Sequence, residues 1–311
     1  MAFHRCGKYT APPREKQGRG LILPPKYRIF PVMERDLHAP ASLGAMTLRN
    51  RIVMAPMTRN RAPLGVANTL MALYYAQRAG AGLIVTEGTS PSPNGLGYVR
   101  IPGIYSRDQV EGWKLVTRAV HEAGGRIVLQ LMHNGRLVHR NNLPAGARIL
   151  APSRVRAAGT IFASGEGRVA FPEPEEMSAS DIRDAIDEYA SAAVNARAAG
   201  FDGVELHAAN GYLLEQFLRP ATNLRTDAYG GDAARRARLV LEVAEAVAGA
   251  IGAERVGVRL SPFGTTNDMH DHDTMAEDYT ALATELGRLH LLYVHLVDHG
   301  TFGSPPVPEE M

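Results

Sequence analysis

The sequence predicts an α/β fold, a TIM-type (β/α)8 barrel incomplete at its C-terminal end, with about six βα units in the chain. Three observations predict it. From residue 50 onward, short apolar, β-branched runs alternate with helical segments that stop at glycine. The runs are apolar on both faces, as parallel strands covered by helices must be. The first run leads into Met54-Ala55-Pro56-Met57-Thr58, where a dinucleotide-binding sheet would need a glycine-rich turn, so a Rossmann arrangement is disfavoured.

The elements follow in order. Arg51-Ile52-Val53-Met54-Ala55-Pro56 is the first strand, and residues 68–79 form a helix stopped by Gly80. Gly82-Leu83-Ile84-Val85-Thr86-Glu87 is the second strand. Ser106 and Gln109 have capping-box spacing and open a helix that stops at Gly124. Arg126-Ile127-Val128-Leu129-Gln130-Leu131 is the third strand. Residues 134–177 then break the alternation with Gly, Pro and Asn, the usual composition of a cap inserted after a strand. A helix over 179–199, a strand at Gly203-Val204-Glu205-Leu206-His207 and a helix over 232–251 come next. Val256-Gly257-Val258-Arg259-Leu260, a helix over 274–288 and a last strand, Leu292-Tyr293-Val294-His295-Leu296-Val297, complete six units.

Composition narrows the function classes. The chain has 311 residues, 45% hydrophobic and 21% charged, which suits a soluble globular protein and excludes a disordered or fibrous one. No run is long enough for a membrane helix, so no membrane partner is expected. The single Cys6 allows neither an internal disulfide nor a cysteine cluster and favours a reducing, cytoplasmic setting. Residues 1–32 hold seven basic groups and one acid, leaving 27 basic and 31 acidic groups for the rest. The mild positive net charge therefore belongs to this head, which is read as a disordered basic extension, with Met33 as an alternative start and residues 33–311 as the barrel domain. Without aromatic interleaving or a helical stripe the head does not indicate a nucleic-acid partner.

Chemistry in such a barrel sits at the carboxyl ends of the strands. Thr58 follows the first strand, Glu87 and Thr89 the second; Gln130 and His133 lie on and after the third. His207 and Asn210 end the fourth, Tyr212 opens the next helix, and Arg259 lies within the fifth. Each alone reads equally well as a structural residue, but a guanidinium inside an apolar strand needs an anionic or strongly polar partner. Five polar strand ends aimed at one region favour a site. The run Asp268-Met269-His270-Asp271-His272-Asp273 has metal-ligand residue types but no defensible ligand spacing; a solvated loop or cap contact is expected, and no metal. The turn-rich stretch 223–231 is read as structural.

Leu129-Gln130-Leu131-Met132-His133-Asn134-Gly135-Arg136, Val53-Met54-Ala55-Pro56-Met57-Thr58-Arg59 and the long stretch from Phe201 to Leu214, running on to Gly231, resemble signatures of the old yellow enzyme family, the FMN-dependent ene-reductases. The resemblance covers about residues 38–311. It implies FMN as cofactor, NADH or NADPH as reductant and an α,β-unsaturated carbonyl compound as substrate. Hydride passes from NAD(P)H through the flavin to the activated C=C bond in a ping-pong cycle. The resemblance implies that Ala55, Pro56, Met57, Thr58, Gly88, Gln130 and Arg259 contact the flavin: Thr58 at O4, Gln130 at the pyrimidine edge, Arg259 beside N1 and O2. His207 and Asn210 hydrogen-bond the substrate carbonyl, and Tyr212 protonates Cα; Thr58 also borders the substrate. A phenol is protonated at neutral pH and can serve as that acid.

The family barrel has eight strands, the last two units carrying the flavin-phosphate cradle, and six are read here. Arg235 also stands where the family usually has asparagine. The expectations are therefore an ene-reductase or, alternatively, a truncated pseudoenzyme that binds FMN weakly and catalyses nothing. A homo-oligomer or a complementing chain that completes the barrel is the third reading.

Overall fold

The computed structural model describes residues 36–300 and 303–308. The chain divides into two units, Met1–Asp36 and Leu37–Met311. The expected basic extension over 1–32 and the alternative start at Met33 lie outside the described residues.

The second unit opens with an antiparallel hairpin, β1 (Ala41–Leu43) and β2 (Met46–Leu48), which the sequence pattern did not reveal. Then come β3 (Val53–Met54), α1 (Thr69–Ala76), β4 (Leu83–Val85), α2 (Arg107–Glu122) and β5 (Ile127–Leu131). The cap contains β6 (Leu150–Ala151), β7 (Thr160–Ala163), β8 (Gly167–Ala170) and β9 (Glu175–Glu176). The chain continues through α3 (Ala179–Ala198), β10 (Gly203–Ala208), α4 (Leu213–Leu218), α5 (Ala233–Ile251), β11 (Val256–Leu260), α6 (Met275–Arg288) and β12 (Tyr293–Leu296). The order β12-β11-β10-β5-β4-β3 makes one six-stranded sheet, every neighbouring pair parallel. The six expected strands are thus all present in one curled sheet, an incomplete barrel.

Local chemistry explains the element ends. Ser106 and Gln109 close the expected capping box on α2, and Ser178 with Asp181 forms a second one on α3. Asn68 and Asp232 cap α1 and α5 through their side chains. α5 stops where Gly252 takes φ +91°, open to glycine at little cost. The first strand is shorter than expected, because it is an edge with one neighbour and Pro56 has no donor to extend it.

Side chains alternate cleanly across the sheet. Ile84, Ile127, Leu129, Leu131, Val204, Leu206, Ala208, Val256, Val258 and Leu260 point outward into the main core with the helices. Trp113 anchors that core, fully buried, with its indole N–H donated to the Gly103 carbonyl at 3.1 Å. Leu83, Val85 and Val128 face inward with Leu48 of the hairpin and form a smaller apolar floor. The expectation of strands buried on both faces holds for β4, β5 and β10, but Val53, Val294 and Leu296 are exposed on the two outer strands. Those edges have no further neighbour among the described residues.

Candidate active site

The inner face above the apolar floor is polar. Parallel register places Gln130 opposite Glu205, and His207 opposite Arg259, which in turn faces His295. Period-two alternation along β10 puts Glu205 and His207 on the same face. Three expected site residues, Gln130, His207 and Arg259, thus line one wall, and two that sequence reasoning missed, Glu205 and His295, stand among them. The Glu205 carboxylate accepts from Gln130 Nε2 at 2.8 Å, His295 Nδ1 at 2.9 Å and the Tyr293 hydroxyl at 3.1 Å.

His207 is 3% exposed, and burial, reinforced by the Arg259 cation, drives its imidazole well below the usual histidine range. It is therefore neutral, with one N–H to give. Its ring meets the Tyr212 ring edge-on, 4.8 Å between centroids. Tyr212 is the N-cap residue of α4, yet its side chain makes no capping bond; the Leu213 N–H is taken by the His133 carbonyl at 2.9 Å. That leaves the phenol free for the pocket, where it lies 3.1 Å from the hydroxyl of Tyr98, another residue sequence reasoning missed. Burial pushes the Tyr212 phenol well above its ordinary range, with Tyr98 adding to the shift.

Asn210 sits between them in a strained turn, φ +57°, a conformation asparagine tolerates better than most residues. Its backbone N–H donates to Ser261 Oγ at 2.8 Å, and its carbonyl accepts from Asn267 Nδ2 at 2.7 Å. His299 Nε2 donates to its side-chain Oδ1 at 2.9 Å, which turns the Asn210 amide N–H groups the other way. Behind the turn, fully buried Glu215 accepts from Ser261 Oγ, the Tyr279 hydroxyl at 2.7 Å, the Gly211 N–H at 2.6 Å and Arg219 Nη2 at 2.8 Å. The turn is thus held from three sides before any ligand arrives.

The cap roofs the site. Ala157, Ile161 and Phe171 from the cap pack with Ile101, Met132, Leu137 and Tyr212 in a separate apolar cluster. Buried Arg136 latches the cap: its Nη2 donates to the Asp268 carbonyl at 2.9 Å and to Asp268 Oδ2 at 3.3 Å, and the same carboxylate accepts from the Ala158 N–H at 2.9 Å. The acidic-histidine loop around Asp268 therefore acts as the expected cap contact. Among the described residues, no group of three or more His, Cys, Asp or Glu side chains is placed to hold a metal ion. Asn223 is structural, donating to the Phe217 and Tyr229 carbonyls at 2.7 Å.

The remaining expected flavin contacts lie at the ends of β3 and β4. Ala55, Met57 and Thr58 are exposed, Pro56 half-buried. Gly88 lies under Met132, so close that an added Cβ would stand 2.4 Å from its sulfur. Glu87 does not point into the site; it accepts the Arg59 N–H at 3.1 Å and the Tyr75 hydroxyl at 3.2 Å, tying the Thr58 loop to β4. His133 is structural too, its Nδ1 accepting the Gly135 N–H. Two buried groups, Arg259 Nε and His207 Nδ1, have no hydrogen-bond partner among the described residues. Buried polar atoms are rarely left so. An unmet guanidinium N–H on a wall that also carries an amide fits a planar ligand rich in acceptors, and FMN is such a ligand.

Comparison with known proteins identifies the family. Residues 36–305 match the family model described as NADH:flavin oxidoreductase / NADH oxidase. The chain is 41% identical over 280 residues to 12-oxophytodienoate reductase 7 of Oryza sativa subsp. japonica, covering 87% of this chain and 71% of that protein. It is 44% identical over 243 residues to a probable flavin mononucleotide-dependent alkene reductase of Leishmania infantum, covering 76% of this chain and 66% of the relative. Among solved structures, morphinone reductase superposes with a TM-score of 0.85 at 44% identity, covering 88% of this chain and 74% of that one. The old yellow enzyme homologue from Zymomonas mobilis gives 0.83 at 42% identity, covering 87% and 77%. No helix among the described residues is long and apolar enough to cross a membrane. The chain, matched over most of its length by the family model, the relatives and the solved structures, belongs to the NADH:flavin oxidoreductase / NADH oxidase family, the old yellow enzymes.

Proposed function

We propose that the chain reduces the C=C bond of α,β-unsaturated carbonyl compounds, using FMN with NADH or NADPH as reductant. The observation that carries this reading is the convergence of a neutral His207, Asn210 and a protonated Tyr212 at the end of β10 beside the Arg259 and Gln130 wall. Bound FMN supplies a two-electron carrier between nicotinamide and alkene. Gln130 and Arg259 would hold its pyrimidine side, with Thr58, the 55–57 backbone and Gly88 around it. A cation beside that ring stabilises charge that collects there on reduction. His207 and Asn210 each offer an N–H to one substrate oxygen, which draws electron density out of the conjugated alkene. Tyr212, kept protonated by burial, gives the proton to Cα. Met132 and the cap cluster exclude water and shape the substrate pocket.

The visible spectrum of freshly purified protein, with and without added FMN, followed by NADPH-dependent reduction of 2-cyclohexenone, tests this. Flavin absorbance that stays with the protein and enone-dependent NADPH oxidation support it. Protein that takes up no flavin, or takes it up and leaves the enone unchanged, refutes it and supports the non-catalytic reading.

A further inference from the structure

Glu205 is a carboxylate at 0% exposure on the inner wall that none of the chemistry above uses. Charges are rarely buried without a task or a partner, and this one has three donors. Tyr293 reaches it from two strands away by crossing Gly257, where an added Cβ would stand 2.3 Å from the Tyr293 ring. His295 approaches from β12, and Gln130 from the opposite side, on β5. A carboxylate only accepts, so the 2.8 Å contact with Gln130 fixes which end of that amide is its nitrogen.

We propose that Glu205 is a positioning residue that sets the orientation of the Gln130 amide. This rests on the flavin reading of the site. The two ends of a glutamine amide have nearly the same shape and opposite hydrogen-bonding character, so packing alone does not choose between them. Glu205 chooses by claiming one Nε2 proton. Gln130 Oε1 is then the acceptor left for the imide N–H of a flavin pyrimidine ring. Glu205 is also the leading anionic neighbour favouring the charged form of Arg259, so amide and guanidinium are arranged from one buried carboxylate. Tyr293 and His295 in turn hold the carboxylate on the side away from Gln130.

The test uses protein labelled with nitrogen-15 only at glutamine side chains, of which the sequence has five. The Gln130 signal is identified by its loss in Gln130→Met. In the flavin-free wild type, one Nε2 proton of Gln130 exchanges with solvent about tenfold more slowly than the other, as expected for a charge-assisted hydrogen bond. Glu205→Gln abolishes the asymmetry, whereas Tyr293→Phe, which keeps the carboxylate, retains it. Lumiflavin and N3-methyllumiflavin then read the consequence. The wild type prefers the flavin with the free N–H, and Glu205→Gln narrows that preference about tenfold, a change of roughly 1.4 kcal/mol. Equal exchange of the two protons in the wild type, or unchanged flavin preference in Glu205→Gln, overturns the proposal. The wild-type asymmetry is read without substituting Glu205, so a poorly folding variant does not remove the test. A wild type that shows the asymmetry but binds neither flavin refutes the functional reading and supports the Glu205–Gln130 contact.

Discussion

Acid should loosen this protein through His133. The residue lies two positions beyond β5 at 1% exposure, and burial pushes its imidazole down to about 3. Its Nδ1 accepts the Gly135 N–H at 3.0 Å, a bond that only the form unprotonated at Nδ1 can make. In the unfolded chain the same imidazole titrates near 6.5. The folded value lies below the unfolded one, so the unfolded state takes up a proton first as pH falls. Stability is therefore intact above about pH 6.5 and declines from there toward about pH 3. At about pH 5 the difference is roughly 1.5 units, or about 2 kcal/mol from His133 alone. His207 is shifted in the same direction and adds to the loss. Urea unfolding of the wild type and His133→Asn at about pH 7 and about pH 5 isolates the contribution, since carboxylate effects are common to both. The variant should lose about 2 kcal/mol less on acidification than the wild type. Equal losses, within about 0.5 kcal/mol, would refute the assignment of a neutral, buried His133.

Tyr212→Phe should lower enone reduction by roughly 10²–10⁴-fold while leaving reduction of the flavin by NADPH in place, measured by stopped-flow absorbance of the two half-reactions. Because burial raises the Tyr212 phenol, the alkaline fall in wild-type activity should begin above its ordinary value near pH 10, as a pH–rate profile will show. Arg219→Met strands Glu215 in the core and should cost about 3–5 kcal/mol in urea unfolding, with much of the loss recovered when Glu215→Leu is added. Asp268→Ala removes the carboxylate that Arg136 and the Ala158 N–H share; limited proteolysis should then cut faster within residues 154–170, and KM for the enone should rise.

Much of the fold is legible because its signals are local. The apolar runs of β5, β10 and β11, the capping box of α2 and the glycine stops of α2, α3 and α5 are each short local signals, and the structure keeps them within two residues. The edge strands are less legible, since their length depends on neighbours that a run of sequence does not name. In the site, the chain after β10 is dense enough in unusual residues for His207, Asn210 and Tyr212 to stand out together. Glu205 hides in the same strand: its identity is visible, but its task depends on Gln130, Tyr293 and His295, at least 75 residues away in sequence. An i, i+2 relation to His207 in a parallel strand is the signal that would have found it. Tyr98, 114 residues from Tyr212, has no such local marker. The hairpin β1–β2 is too short for its alternation to register as a strand pattern.

Tyr212 opens α4 without capping it, and that separates two selection pressures. At most helix starts, exchanging the N-cap residue removes a hydrogen bond and about 1 kcal/mol with it. Here Tyr212 makes no side-chain capping bond, and the Leu213 N–H is held by the His133 carbonyl from the loop after β5, whatever side chain stands at 212. A library of substitutions at this position would therefore vary proton donation and pocket shape without taking a capping bond from the helix, which makes it a favourable point from which to evolve the stereochemistry of protonation.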